Sequence, residues 1–310
     1  RGFGGDQSFL IQAQAGSGKT FLLFEHILNS IKGSYGGRIL GLCFGRLNAE
    51  DLSRKSPSVE GWEFKGFHAL AYRALARSLG KNKLFVNPYK VTNKIKKIDK
   101  FKELNGGDKK DQFIAIVTSN AVETAISLIM NCMIDYHDTK KLSDFLDYNY
   151  NLLASKREMG SMDYDLLLES IPIIIEECIK DDSCHTFDEM LYLCVIRDLY
   201  FSKYDVILLD EYQDSNPVQL EIISRCMKKD ARIIAIGDTN QSIYGFMGAD
   251  SDIKSKIIKR FKCEELNLNI TRRNPGKVTQ FVSDKFGIEI KCLPGRENEG
   301  KCSRCPWKLC

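Results

Sequence analysis

The residues best equipped for chemistry fall in a few short stretches. Ala13-Gln-Ala-Gly-Ser-Gly-Lys-Thr20 follows an apolar run, Phe9-Leu10-Ile11, and opens into Phe21-Leu22-Leu23-Phe24-Glu25, which reads as a helix. A strand, a glycine-containing loop and a helix N-terminus in that order form a cradle for phosphate. Gly16 and Gly18, alternating with Ala15 and Ser17, let successive backbone N–H groups turn toward one anion. Lys19 is spaced to reach the β- and γ-phosphates of a nucleoside triphosphate, and the Thr20 hydroxyl to ligate Mg²⁺. The usual pattern opens on Gly where this chain has Ala13, and the loop alone does not say which reaction follows.

A second stretch supplies carboxylates. Tyr204-Asp-Val-Ile-Leu-Leu-Asp-Glu-Tyr-Gln-Asp214 is an apolar strand that delivers Asp210 and Glu211 at its C-terminal end, where open α/β sheets place ligands. Mg²⁺ needs a further carboxylate, for which Asp210 is the candidate, and an attacking water needs a base, for which Glu211 is the candidate. Gln213 and Gln241, each just past a strand end, can report nucleotide state or simply sit on the surface. Tyr244 and Phe246, flanking Gly245, suit either a stacking platform for unpaired bases or core packing. Arg272-Arg273 is either a cation source for the γ-phosphate or an exposed arginine pair.

The elements that must hold these groups follow from patterning. Arg38 to Phe44 and Arg232 to Gly237 are apolar runs bounded by turn residues, as buried parallel strands require. Asn216-Pro217 reads as an N-cap followed by proline at the first helical position. Helices are expected at 48–55, 67–79, 251–261 and 275–286, with a strand at 265–270. Between about 88 and 197 the alternation stops, and apolar periodicities such as Ile114, Val117, Ala121, Ile126 and Ile129 predict an all-helical insertion. Residues 90–110 carry eight lysines against three acids, which suits a nucleic-acid backbone or an ordinary solvated face.

With 43% apolar and 28% charged residues and a formal charge of +4, the 310-residue chain has the make-up of a water-soluble globular protein, mildly basic. No stretch is expected to reach the ~18 apolar residues of a membrane span. Eleven cysteines, mostly scattered singly, suggest reduced thiols in an intracellular protein, cytoplasmic (nucleoid) or nuclear. The start at Arg1 suggests a piece of a longer reading frame.

In this order, the motifs resemble those of the UvrD/Rep-like superfamily 1 DNA helicases. Ala15 to Thr20 is similar to the first motif, Asp210-Glu-Tyr-Gln-Asp214 to the second, Ile236-Gly-Asp-Thr-Asn-Gln-Ser-Ile-Tyr-Gly-Phe-Met-Gly-Ala249 to the third, and Thr271-Arg-Arg-Asn-Pro275 to the fourth. Phe44 to Lys55 and Phe67-His68-Ala-Leu-Ala-Tyr72 resemble the intervening DNA-contacting segments, in wording most like the F-box DNA helicase and phage-like branch.

The resemblance implies ATP and Mg²⁺ as cofactors and single-stranded DNA as partner, with no membrane. It implies Lys19, Glu211, Gln241 and Arg273 in catalysis. Ala15, Gly16, Ser17, Gly18, Lys19, Thr20 and Gln213 would lie on nucleotide, and Thr20 and Asp210 on metal. Phe44, Phe67, His68, Tyr244 and Phe246 would lie on DNA. Gly45 and Gly66 stand where the family usually has polar DNA contacts, and Met247 replaces a common Arg. Gln7 lies too near Lys19 to be the family's adenine-reading glutamine.

The implied fold is α/β. A first RecA-like ATP-binding domain with a parallel sheet spans 1–87 and 198–262, the helical insertion 88–197, and the start of a second RecA-like domain 263–290. Residues 291–310 form a Cys-rich tail. Cys292, Cys302, Cys305 and Cys310 there allow either a zinc site or a foreign end. The implied activity is ATP hydrolysis coupled to movement on single-stranded DNA, carried by a chain that lacks the rest of the second domain. The alternative is a non-catalytic ATP- and DNA-binding fragment.

Overall fold

The structure is a computed structural model that describes residues 5–34, 37–43, 50, 54, 59–153, 159–241 and 252–301. Six parallel strands, β1 (Phe9–Ala13), β2 (Ile39–Cys43), β3 (Trp62–Gly66), β4 (Tyr204–Asp210), β5 (Met227–Gly237) and β6 (Glu264–Leu268), form one sheet in the order β3-β2-β4-β5-β1-β6. The period-2 geometry of the strands divides their apolar residues between two cores. Phe9, Ile11, Ile39, Val206, Leu208, Ile234 and Ile236 face helix α1, whose segments are Lys19–Phe21, Leu22–Leu28 with π-type bonding, and Asn29–Ser34. Leu10, Leu40, Leu42, Ile207, Leu209, Ile233 and Ala235 face the other way, toward α2 (Phe67–Ser78) and the later helices. Burial on both faces is why these strands read as continuous apolar runs.

The chain leaves this unit after Val86 and returns at His185, and the two crossings are zipped together: Asn87 N donates to His185 O (2.9 Å) and His185 N to Phe85 O (2.9 Å). Between them lie α3 (Lys90–Ile95), α4 (Asp99–Gly106), α5 (Lys109–Cys132), α6 (Thr139–Tyr148) and α7 (Tyr164–Lys180), around a core of Phe101, Ile126, Ile129, Leu167 and Ile171. Helix α8 (Phe187–Ile196) is buried nearly all round: Leu191, Leu193 and Cys194 pack on the sheet unit while Tyr192 packs in the insertion. It is followed by α9 (Pro217–Cys226), α10 (Ile253–Phe261) and α11 (Gly276–Phe286).

Several expectations change. Helix α5 does have the length and mean hydropathy of a membrane span, but more than half of its apolar window is buried against the protein. The expected boundary at 263 falls inside the sheet, because β6 pairs with β1 from Phe9–Glu264 to Ala13–Leu268. Lys291–Cys292, expected in an unstructured tail, pairs as β8 with β7 (Ile270–Thr271), and α11 connects the two. Strand β3 has no forecast in the sequence. The helix expected at 48–55 lies almost wholly outside the described residues, as do Cys302, Cys305 and Cys310. The lysine run is largely spent inside the insertion: Lys90 is buried on Glu189 (2.6 Å), Lys94 meets Asp181 (3.0 Å), Lys100 meets Glu169 (3.1 Å) and Lys102 meets Asp99 (2.7 Å).

Candidate active site

Three strand ends lie at one level of the sheet. Asp210 at the end of β4 is opposite Ile236 of β5, which is opposite Ile11 of β1, so the loops that follow emerge along one edge. The loop after β1 is held open by Gly16 (φ 73°) and Gly18 (φ 93°), conformations that a side chain would strain. Gly18 then caps α1 with no side-chain bond to its first N–H groups. Ser17 is buried, and its Oγ has no hydrogen-bond partner. Free N–H groups at a helix start, a buried donor without a partner and a nearby ammonium suit an anionic ligand.

The ammonium is that of Lys19, which bridges the sheet to Glu211: Nζ donates to Oε1 at 2.9 Å and to Oε2 at 2.7 Å. Glu211 has left-handed backbone (φ 52°, ψ 50°), a conformation worth about 1–3 kcal/mol of strain that the surrounding turn must hold. That turn is closed by Asp214 N to Glu211 O (3.0 Å) and Ser215 N to Tyr212 O (3.1 Å). Gln213 donates from Nε2 to Glu211 Oε2 (2.9 Å) and accepts at Oε1 from the Asp238 N–H (2.9 Å). It lies so close over Gly237 that a Cβ there would collide with its amide oxygen. Asp210 accepts from the Glu211 N–H (3.1 Å). Burial and then the Glu211 charge push its carboxyl up to about 6, against the pull of Lys19. The neighbouring Cys43 thiol goes up to about 12 by burial and the Asp210 charge.

Gln241, the other candidate glutamine, donates to Asp238 Oδ2 at 2.5 Å. Asp238 also accepts from Gln12 Nε2 (3.0 Å) and the Asn240 N–H (3.1 Å), while the Tyr212 hydroxyl donates to Gln12 Oε1. Both glutamines therefore converge on one buried carboxylate that sequence reasoning missed. An aspartate two residues before a 3₁₀ turn has no special signature, and Gln12 looked like part of a strand. A charged residue at a strand end beside a glutamine-rich turn was the available signal.

The fourth motif reaches the loop from β7. Arg272 N donates to Gly16 O (2.8 Å), Asn274 Nδ2 donates to Ala15 O (3.3 Å), and a Cβ on Gly16 would meet Arg273 Cβ at 2.6 Å. Arg273 thus has its backbone against the cradle with its side chain exposed, while the Arg272 guanidinium covers the Phe21 ring at 5.2 Å.

The DNA candidates fare differently. His68 is exposed at the start of α2, edge-on to Phe187 with ring centroids 5.4 Å apart. Phe67 is 3% exposed and packs in the core, so it is corrected from a DNA contact to a support: at the first helical turn its side chain points inward with Leu70 and Ala71. Phe44, Tyr244 and Phe246 lie outside the described residues, as does the side chain of Thr20.

Residues 5–262 match the model of the UvrD/REP helicase N-terminal domain. Among curated relatives, a probable DNA helicase II homolog of Mycoplasma genitalium is 24% identical over 83% of this chain and 37% of its own length. The ATP-dependent DNA helicase PcrA of Staphylococcus aureus is 26% identical over 78% of this chain and 32% of its own. A third, an ATP-dependent helicase/nuclease subunit of Lactobacillus acidophilus, is 29% identical over 64% and 15%. The chain therefore spans well under half the length of these relatives. With a six-stranded parallel sheet, a glycine loop over its edge and a family match across most of its length, the chain belongs to the UvrD/Rep helicase family.

Proposed function

We propose that this chain is the nucleotide-binding and DNA-tracking part of an ATP-dependent helicase that moves on single-stranded DNA inside the cell. The observation that carries the reading is the Lys19–Glu211 pair, with Asp210 beside it and Gln213 bonded to the same carboxylate. A triphosphate in the glycine loop competes with Glu211 for Lys19. Once Lys19 turns to the β- and γ-phosphates, Glu211 is released to accept a proton from the attacking water. Gln213 keeps the freed carboxylate aimed and ties it through the Asp238 N–H to the third motif. Gln241 joins the same carboxylate of Asp238, so both glutamines sense displacement at one point.

Mg²⁺ fits this donor set, held by Asp210 with Thr20, and supplies charge neutralisation at the phosphates. No group of three or more His, Cys, Asp or Glu residues converges among the described residues, and a cation shared with substrate phosphates needs none. Arg273 supplies a cation from the far wall, and His68, with Phe44, Tyr244 and Phe246, lines the DNA path. Free cysteines throughout the described residues, with Cys43, Cys194 and Cys226 buried and each pushed up to about 12 by burial, support a reducing compartment.

The test is Glu211→Gln in the full-length protein. DNA-stimulated ATP hydrolysis is expected to fall by about 10²–10⁴-fold while a fluorescent ATP analogue still binds. Unchanged turnover removes Glu211 as the base. Absence of turnover in the wild type, with or without single-stranded DNA, would leave a binding module instead of a motor.

A further inference from the structure

Helix α5 is apolar along most of its length, yet Asn131 near its end is 2% exposed. An asparagine is a poor helix former, and a buried side-chain amide costs about 1–3 kcal/mol unless it is bonded. A leucine would fill the same space more cheaply, so the amide has a specific use. Its Oδ1 accepts a hydrogen bond from Nδ2 of Asn216 at 3.1 Å, across the junction between the insertion and the sheet unit. Asn216 is the N-cap of α9: its Oδ1 accepts from the Gln219 N–H (3.1 Å), and its own N–H donates to Gln219 Oε1 (3.3 Å). Only the Nδ2 end of Asn216 is left to be fixed from outside, and Asn131 fixes it.

Asn216 stands five residues after Glu211 on the turn that holds Glu211 in its left-handed conformation. Every residue from Tyr212 to Asn216 is buried, so the segment has no slack in which to absorb a shift of its end. On the other side, Asn131 Nδ2 reaches Ser127 Oγ (3.5 Å), and Ser127 donates to Asp188 Oδ2 (2.6 Å). Asp188 adjoins Phe187, the ring that His68 meets edge-on. A line of polar contacts thus runs from the His68 corner through the insertion to the cap of α9.

We propose that Asn131 is a positioning residue for Glu211: by anchoring the Asn216 cap it fixes the turn that aims the carboxylate, and so lets the helical insertion set the geometry of the nucleotide site. The role in hydrolysis rests on Glu211 being the base; the anchoring itself does not.

The experiment uses Asn131→Leu, which keeps the volume and removes the acceptor, and Asn131→Asp, which keeps an acceptor facing Asn216. In hydrogen–deuterium exchange on this chain, Asn131→Leu is expected to speed exchange across 211–220 by about tenfold and leave 9–20 unchanged, and Asn131→Asp to restore most of the protection. In the full-length protein, Asn131→Leu is expected to lower kcat for ATP hydrolysis by about tenfold, with KM for ATP unchanged within about twofold. Wild-type exchange at 211–220 together with wild-type kcat overturns the proposal. Should Asn131→Leu fail to fold, Ser127→Ala removes only the hydroxyl that orients Asn131. It is expected to shift exchange and kcat in the same direction by about threefold, and no shift in either overturns the proposal. If Glu211→Gln turned over normally while Asn131→Leu still loosened 211–220, the assignment of the base would fail and the anchoring would stand.

Discussion

The molecule holds two lysine–glutamate pairs with nearly the same contact distance and different fates. Lys19 meets Glu211 at 2.7 Å with side chains 17% and 32% exposed; Lys90 meets Glu189 at 2.6 Å with both 1% exposed. In the insertion, Lys90 spends its remaining protons on the carbonyls of Cys178 (2.9 Å) and Asp181 (2.7 Å), and Glu189 closes the capping box of α8 by accepting from the Thr186 N–H (3.1 Å). That pair is saturated and sealed. At the sheet edge, Lys19 donates only to the two Glu211 oxygens among the bonds described, beside a strained backbone, an Asp210 that resists ionisation, and a loop able to bind anions. The ion pair itself distinguishes neither site. What separates a structural clamp from an exchangeable contact is whether the remaining donors and acceptors are already satisfied and whether a competing ligand can enter.

Removing one partner from each pair breaks the comparison most sharply. Lys90→Met leaves Glu189 buried without its counterion and is expected to cost about 3–5 kcal/mol in urea unfolding. Lys90→Met combined with Glu189→Gln, which preserves the cap on Thr186, should recover most of that loss. A fall of less than about 1 kcal/mol for Lys90→Met alone would make the two pairs equivalent. Lys19→Met is expected to change stability by less than about 1 kcal/mol, as for partly exposed pairs, while abolishing stabilisation by ATP. In the wild type that stabilisation is about 2.7 kcal/mol at a hundredfold excess over Kd, read as a thermal shift. The smallest effect sharpens the contrast through pH. Bonds from the Ser183 hydroxyl and Lys94 hold Asp181, beside the Lys90 clamp, well below the usual carboxylate range. A depressed folded-state pKa gives stability that is present above the unfolded value and lost as the medium turns acid. Between about pH 5 and pH 3 the wild type should therefore lose stability more steeply than Asp181→Asn, measured as urea midpoints across that range.

The chemistry at the sheet edge was legible because it is local. A glycine loop, a strand ending in two acids and the glutamines after them carry their meaning within a few residues, and the fold class follows from runs buried on both faces. Strand β3 (Trp62–Gly66) was not legible: it is an edge strand whose five residues are all half-buried, so neither an apolar run nor a clean alternation marks it. The pattern of Glu264–Leu268 indicated a strand, but membership of the first sheet depends on its register with β1, which no local pattern encodes. Lys90 looked like one member of a basic run, and its burial depends on Glu189, 99 residues away. Asn131 and Asp238 were invisible for the same reason, since their partners lie 85 and 226 residues off, at Asn216 and Gln12. Phe67 misled in the opposite sense, because a family position does not reveal which way its ring turns.

The contact of Gly16 with the Thr271–Asn274 segment has one more consequence. With Ala15 and Gly16 tied through their carbonyls to Asn274 and Arg272, the mouth of the cradle and the strand that leads out of it are geared together without clearance. A methyl group at position 16 would have to push Arg273 and Thr271 aside before it disturbed anything else. Such a variant would act as a shim in a hinge, displacing whatever follows β7 while every phosphate-gripping side chain kept its place.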